Sequence, residues 1–449
     1  MSKPSSLGKT FLVFLAPLML SNALQSLFGT VSNVFLGQML GVDALAAVAV
    51  FFPVMFFLFA FVMGLSTGAT VLIGQAWGAG RHDKVKATAG TTLAIAVLFA
   101  TTVAVFGGVF SRQLMLALAT PPDILDQAAS YARVMLLTMP LGFVFLLATA
   151  MMRGVGDTLT PLLALALSTA GGLILTPMLV RGWLGFPATG VAAPAWASAI
   201  STALTLLVLA LYLRHRRHPL APDAELLRGA RLDAALLGQI LRIGLPSAVG
   251  MVVMAVAELV LLGLVNGFGS EATAAYGAVN QVMGYTQFTA LSISISVSIL
   301  GAQAIGGGNI GRFDAIVRTG LLLNLILTGG LVASIYLLSR TVLGIFITDP
   351  AVLDLAGRLL HVALWSSVPF GMATVLSGAM RAGGTALAPM LLSICAIAAI
   401  EMPSAVILSR IIGIEGVWAA YPITFCAMFV LQLGYYTLVW RRRPLQRLI

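Results

Sequence analysis

Two acidic residues, Glu258 and Glu401, lie inside long apolar stretches of the sequence. A charged side chain at the centre of a membrane-spanning helix costs about 2.5–3.5 kcal/mol on insertion scales, so an acid retained there is a candidate for function. A carboxyl group in such a place can exchange a proton or bind a cation. The alternative is a structural carboxylate tied to a neighbouring Arg or hydroxyl, and for Glu401 the hydroxyl of Ser404 is close in sequence. We predict that Glu258, with Glu401 as its partner, binds an exchangeable ion.

The composition indicates that both acids belong to a membrane protein. Of the 449 residues, 59% are apolar and 9% are charged, and the mean hydropathy is +1.03. Soluble proteins carry about 25% charged residues. A membrane-spanning helix needs about 20 apolar residues, and stretches of that length follow one another along almost the whole chain. We predict an all-α, polytopic membrane protein with twelve spans, at 11–36, 44–73, 88–110, 124–150, 161–181, 191–213, 240–266, 273–301, 314–338, 353–379, 389–410 and 416–440.

The distribution of basic residues predicts the orientation of these spans. Nineteen of the 25 Lys and Arg residues fall on the side of the membrane that carries both termini. Basic residues concentrate on the cytoplasmic side, so we expect both termini to be cytoplasmic in the cell (inner) membrane. The basic residues are scattered over short loops, which argues against nucleic-acid binding. The remaining basic residues are Arg112, Arg133, Arg181, Arg340, Arg358 and Arg410.

A repeat divides the chain into two halves. Residues 152–161 read MRGVGDTLTP and residues 380–389, 228 positions later, read MRAGGTALAP. The repeat unit contains six spans, and an even number gives both copies the same direction through the membrane. The halves should therefore be related by a pseudo-two-fold axis along the membrane normal. We predict an N-terminal lobe at 1–213, a cytoplasmic linker at 214–238 and a C-terminal lobe at 239–449.

Three motifs carry a resemblance to a known family. The first span contains LAP at 15–17, the second ends in GQAWGAG at 74–80, and MRGVGDTLTP follows the fourth. Together with the two six-helix lobes, they resemble the multidrug and toxic compound extrusion (MATE) family over essentially the whole chain. The resemblance implies a V-shaped pair of lobes around a central cavity. It also implies export of amphipathic, often cationic, compounds in exchange for H⁺ or Na⁺.

The sequence departs from this family where many bacterial members place their ion site. They have an Asp in the first span where this chain has Asn33, and an Asn and an Asp in the fifth span where it has Gly172 and Thr176. An amide does not titrate, so Asn33 is expected to form hydrogen bonds rather than to carry the ion. Since Glu258 and Glu401 lie in the seventh and eleventh spans, the repeat equivalents of the first and fifth, we expect the ion site in the C-terminal lobe.

Helical spacing predicts which side chains line the substrate cavity. Polar residues of the first span recur at three- and four-residue steps and form one face. The repeat maps this face onto the seventh-span face that carries Glu258, and the eighth span adds a further face. The predicted cavity residues are Asn22, Gln25, Asn33, Met251, Met254, Tyr276, Asn280, Met283 and Gln287. Methionine side chains adapt to varied apolar ligands.

These observations favour a proton-coupled, or alternatively Na⁺-coupled, exporter of amphipathic compounds, expected to be a monomer in contact with membrane lipids. A flippase of lipid-linked or polar lipid-like substrates, on the same twelve-span plan, is the alternative. No HExxH motif and no Ser/His/Asp arrangement indicates an enzyme, and no spacing indicates a metal site or cofactor. We expect Arg153 and Arg381, in the repeated turns, to anchor the chain near lipid headgroups and to have no role with substrate.

Overall fold

Long helices make up almost all of the protein. A computed structural model describes residues 7–185, 187–229, 233–445 and 447–449. Within those ranges there is no strand, and twelve helices are long and apolar enough to cross a membrane. The predicted all-α fold with twelve spans is therefore confirmed. The helices are α1 Leu7–Leu40, α2 Val42–Gly78, α3 His82–Val109, α4 Leu125–Gly154, α5 Leu159–Arg181, α6 Ala193–His215, α7 Ala234–Asn266, α8 Ser270–Gly306, α9 Ile310–Leu337, α10 Pro350–Ala382, α11 Leu387–Ile412 and α12 Ile414–Trp440.

Two compact units divide the chain close to two prolines. One unit is Ala16–Gly244, and the other contains residues 7–15 together with Leu245–Ile449. The boundaries therefore fall inside α1 and α7, next to Pro17 and Pro246. Proline has no amide hydrogen and removes one hydrogen bond from the helix interior, so each boundary coincides with a weakened point of its helix.

The internal repeat is visible in the backbone and in the ion pairs of both units. The glycines that end the second span of each unit, Gly80 and Gly308, have φ angles of 72° and 71°. Only glycine adopts this left-handed conformation without steric cost. Two ion pairs also repeat at the 228-residue offset, Arg112–Asp126 at 3.5 Å and Arg340–Asp354 at 3.1 Å. The two units thus share turn geometry as well as sequence.

Helix α8 is the most deeply buried span of the C-terminal unit and packs on α10 through small residues. A Cβ added to Gly378 would lie 2.6 Å from the carbonyl oxygen of Ser294, so only glycine fits there. Thr286 donates a hydrogen bond to Ser367 at 2.8 Å, and Ser294 donates one to the carbonyl of Thr374 at 2.6 Å. Small side chains allow helices to approach closely in membranes, which explains the run of serines in α8.

Five-residue π-helical segments interrupt spans of the C-terminal unit. Those in the described ranges are Asn324–Thr328 in α9, Ile397–Glu401 in α11 and Tyr436–Trp440 at the end of α12. Among the described residues, the N-terminal unit contains none. Wide helical turns of this kind occur frequently at functional sites. Their presence therefore favours a functional site in the C-terminal unit.

The predicted linker belongs to the N-terminal unit in this structure. Its short helix, Ala224–Gly229, lies against α3, where Lys86 Nζ forms 2.6 Å ion pairs with both Asp223 and Glu225. The hydrogen bond from Lys86 is the main reason that the pKa of Asp223 is lowered. Sequence composition indicated a polar connector but did not indicate this attachment.

Candidate functional site

Glu401 is buried in the middle of α11. It is 5% exposed and is the last residue of the π-helical segment Ile397–Glu401. Pro403 follows two residues later and lacks an amide hydrogen, so the carbonyl of Ala399 loses its usual helical donor. The helix therefore widens at this point, and the widened turn carries the carboxyl group. The sequence signal, an acid just before a proline inside a span, corresponds to a real irregularity of the helix.

Glu258 lies on α7 and is exposed at the surface of the C-terminal unit. The side chains of Glu258, Glu401, Tyr276 and Tyr421 lie in one neighbourhood of the C-terminal unit. The two acids, far apart in the sequence, are thus close enough to influence each other. Glu258 is exposed, whereas Glu401 is buried.

Two buried tyrosines complete this neighbourhood, which we call the acid–tyrosine cluster (Glu258, Glu401, Tyr276, Tyr421 and Asn280). The hydroxyl oxygens of Tyr276 and Tyr421 are 3.1 Å apart and share a hydrogen bond. Asn280 lies one turn from Tyr276 along α8. Hydroxyl and amide groups beside two carboxyl groups can stabilise either protonation state, because such groups can both donate and accept hydrogen bonds.

Tyr421 was missed by the sequence analysis, and so was its neighbour Trp418. The rings of Trp418 and Tyr421 lie 5.6 Å apart, and the ring of Tyr276 lies 5.1 Å from that of Trp418. The indole Nε1 of Trp418 is buried and has no hydrogen-bond partner among the described residues. Their spacing of three residues in α12 indicated one helical face, but it did not indicate contact with α8.

The predicted cavity residues divide into accessible and buried ones. Met283 is 1% exposed and packs inside the core of the C-terminal unit, so its contact with substrate stays a prediction. Tyr276, 4% exposed, is buried as well and acts here through its hydroxyl contacts. The side chain of Asn33 lies outside the described residues. The others are partly or fully accessible, namely Asn22, Gln25, Met251, Met254, Asn280 and Gln287.

Similarity to known proteins covers both halves of the chain. Residues 17–178 and 246–407 each match the MatE family model. The chain belongs to the MatE family. Members of this multidrug and toxic compound extrusion family are transporters and not enzymes, in agreement with the sequence prediction. This chain is therefore a multi-pass membrane transporter.

One relative covers the full length of this MatE protein. The chain is 42% identical over 450 residues to the probable multidrug resistance protein YoeA of Bacillus subtilis (strain 168), covering 100% of this chain and 97% of the relative. Solved MATE structures share its fold. A mutant of the Vibrio cholerae MATE transporter VcmN gives a TM-score of 0.89 at 19% identity, with 98% of each chain covered. A MATE crystallised with MaD3S gives a TM-score of 0.87 at 21% identity, covering 96% of this chain and 95% of that one.

Proposed function

We propose that this MatE protein exports amphipathic, cationic compounds across the cell membrane in exchange for protons, with the acid–tyrosine cluster as the coupling site. The single observation that carries the proposal is that Glu258 and Glu401, acids on two different spans, lie in the same neighbourhood as the hydrogen-bonded Tyr276 and Tyr421. The probable multidrug resistance protein YoeA, at 42% identity, supports an exporter of drug-like compounds.

The sequences of the corresponding N-terminal helices support a C-terminal coupling site. Neither α1 nor α5 contains an Asp or a Glu. Their repeat equivalents, α7 and α11, contain Glu258 and Glu401. A proton carried by a side chain requires a titratable group, and the interior of the membrane tolerates few of them. The proposed site therefore uses the acids that this chain retains.

The two carboxyl groups would act in sequence. Glu258 is exposed at the surface of the C-terminal unit, and in this mechanism it takes up the proton first. Glu401 is buried and lies near enough for its charge state to depend on that of Glu258. Two interacting acids release their protons in two steps that belong to the pair rather than to either residue. A cationic substrate would compete with the proton for deprotonated Glu258, and this competition couples entry of one to release of the other.

A proton is favoured over Na⁺ by the ligands that α7 offers. One turn on either side of Glu258 are Met254 and Leu262, whose side chains carry no oxygen. A hard cation prefers several oxygen ligands. Glu401, followed by Pro403 and Ser404, has more oxygen atoms near it, so Na⁺ remains the alternative that the experiment distinguishes.

The proposal is tested by efflux from proteoliposomes under separately imposed ΔpH and ΔNa⁺, with a panel of cationic and neutral dyes. We expect ΔpH to drive efflux of cationic dyes and ΔNa⁺ alone to drive none. Glu258→Gln keeps the size of the side chain but cannot titrate, so it should abolish ΔpH-driven efflux while leaving the protein folded.

Glu415→Gln is the matched control, because Glu415 lies in the first turn of α12 and pairs with Arg358 at 3.5 Å. It should retain ΔpH-driven efflux. If Glu258→Gln and Glu401→Gln both transport with unchanged pH dependence, the coupling site lies elsewhere and the proposed mechanism is wrong.

A further inference from the structure

A cavity of about 150 Å³ lies inside the C-terminal unit, and none of its lining residues belongs to the acid–tyrosine cluster. Helices α7, α10, α11 and α12 supply most of its walls. Much of the surface is apolar and flexible, with Met251, Met254 and Met428 among the lining residues. Methionine adapts to ligands of irregular shape. We call this space the Arg381 cavity, because that side chain is the only charged one among the described residues that line it.

Arg381 does not have the surroundings expected for a headgroup anchor at the surface. Its Nη2 donates a hydrogen bond to Ser294 Oγ at 3.1 Å, and Ser294 is itself held by the carbonyl of Thr374. Its Nε is buried and has no hydrogen-bond partner among the described residues. Arg381 also forms no ion pair with any carboxylate in the described part of the chain. A guanidinium group placed in this way provides a donor and a positive charge for an anion.

Gln432, on α12, adds a second unpaired group to the same cavity. It is 1% exposed, and its Nε2 donates to the carbonyl of Pro389 at 2.8 Å and to Ser393 Oγ at 3.3 Å. These two bonds fix the amide orientation and leave Oε1, which is buried, without a partner among the described residues. An unpaired buried acceptor is costly unless a donor reaches it. The cavity thus offers a cationic donor at Arg381 and a neutral acceptor at Gln432.

The internal repeat indicates which of these features both units share. Arg153 occupies the position equivalent to Arg381, so an arginine in this turn is common to both units. The equivalent of Thr374 is Leu146. Thr374, which holds Ser294, therefore has no polar counterpart in the N-terminal unit and is not needed to build the turn.

We propose that the Arg381 cavity binds a glycerophosphate group attached to an apolar body. The phosphate oxygens accept from Arg381, a glycerol hydroxyl donates to Gln432 Oε1, and the apolar part lies among the methionines. This chemistry has two sources, the headgroup of a membrane phospholipid such as phosphatidylglycerol and a free glycerophosphate. The site shares no residue with the acid–tyrosine cluster and does not depend on the proposed coupling mechanism.

The test measures binding to the full chain, purified in detergent, by native mass spectrometry. Dioleoylphosphatidylglycerol is titrated first, and glycerol 3-phosphate is then added as a competitor. We expect one tightly held phosphatidylglycerol per chain. Arg381→Met, which keeps most of the side-chain volume, should weaken binding about tenfold or more, because a charge-assisted hydrogen bond is lost. Gln432→Leu, which removes the amide and leaves an apolar side chain of similar size, should weaken it about threefold or more.

Arg153→Met is the matched control and should leave the apparent Kd within about twofold of the parent value. Competition by glycerol 3-phosphate would identify the headgroup alone as sufficient, whereas binding of the lipid without competition would identify the membrane phospholipid as the source. Equal affinities for the parent chain, Arg381→Met and Arg153→Met would overturn the proposal. If Arg381→Met does not fold, Gln432→Leu decides, and an unchanged affinity in that variant would equally overturn it.

Discussion

At the scale of single residues, a few polar groups of this protein are held inside an apolar interior. Glu401 is 5% exposed, and the hydroxyl groups of Tyr276 and Tyr421 meet 3.1 Å apart in its neighbourhood. An intramolecular hydrogen bond contributes about 0.5–1.5 kcal/mol, whereas leaving one buried partner unpaired costs about 1–3 kcal/mol. The stability of the protein should therefore fall when one of the two hydroxyl groups is removed, and it should fall less when both are removed.

Tyr421→Phe should lower the thermal stability of the purified protein, because it leaves the Tyr276 hydroxyl without its buried partner. We expect a cost of about 1–3 kcal/mol. The double variant Tyr276→Phe/Tyr421→Phe should cost less than the sum of the two single variants. A double-mutant cycle from melting curves in detergent measures this coupling. Additive single effects would show that the two hydroxyl groups do not support each other.

At the scale of elements, the helix ends and turns of this protein are held by specific side-chain contacts. His218, just beyond α6, accepts a hydrogen bond at Nδ1 from the amide of Leu220 at 3.1 Å, and its Nε2 lies 3.6 Å from Asp157 Oδ2. Asp157 in turn accepts from the amide of Thr160 at the start of α5. Because Nδ1 acts as an acceptor, this contact requires the neutral imidazole. One histidine thus joins the repeated turn before α5 to the linker.

His218 should make the stability of the protein depend on pH. Burial is the main cause that lowers its pKa below the usual 6.5, with the opposing effect of Asp157 smaller. A group whose pKa is depressed on folding contributes stability above its unfolded pKa and loses it as pH falls. The melting temperature should therefore fall as the pH is lowered from about 7.5 to below about 6.5. His218→Gln, which does not titrate in this range, should reduce that slope, and an identical slope in both proteins would exclude His218 as its source.

At the scale of the whole molecule, the duplicated six-helix plan determines the topology. Family models match at residues 17–178 and 246–407, and the same ion pair occurs between Arg112 and Asp126 and between Arg340 and Asp354. An even number of spans per copy gives the two copies the same direction. The expected orientation across the membrane then follows from the charge bias alone, because 19 of the 25 basic residues lie on one side and such residues concentrate in the cytoplasm.

Single-cysteine labelling should place residue 224 in the cytoplasm and residue 348 outside. Ala224 and Thr348 are both exposed, so a cysteine at either position can react. The background would carry Cys395→Ala and Cys426→Ala, which removes both native thiols. An impermeant maleimide added to intact cells should label Thr348→Cys, and it should label Ala224→Cys only after the cells are opened. Labelling of Ala224→Cys in intact cells would show that the topology is the reverse of the expected one.

The sequence alone determined the membrane class, the twelve spans, the repeat and the acids at Glu258 and Glu401. Each of these follows from local composition or from similarity at a fixed offset, because apolar length decides what crosses a membrane. The glycine pair Gly80 and Gly308 was likewise recognisable from the repeated turns, and the structure gives both a positive φ angle.

Only the tertiary structure decided which side chains meet. Helical spacing placed Met283 on the same face as Asn280, yet Met283 is 1% exposed because neighbouring helices cover it, while Asn280 remains partly accessible. The contact between Tyr276 and Tyr421 joins residues 145 positions apart, and that between Arg381 and Ser294 joins residues 87 apart. Periodicity along one helix defines a face but carries no information about the helix that packs against it. That packing is also what surrounds Arg381 with a cavity and leaves its Nε buried without a partner among the described residues.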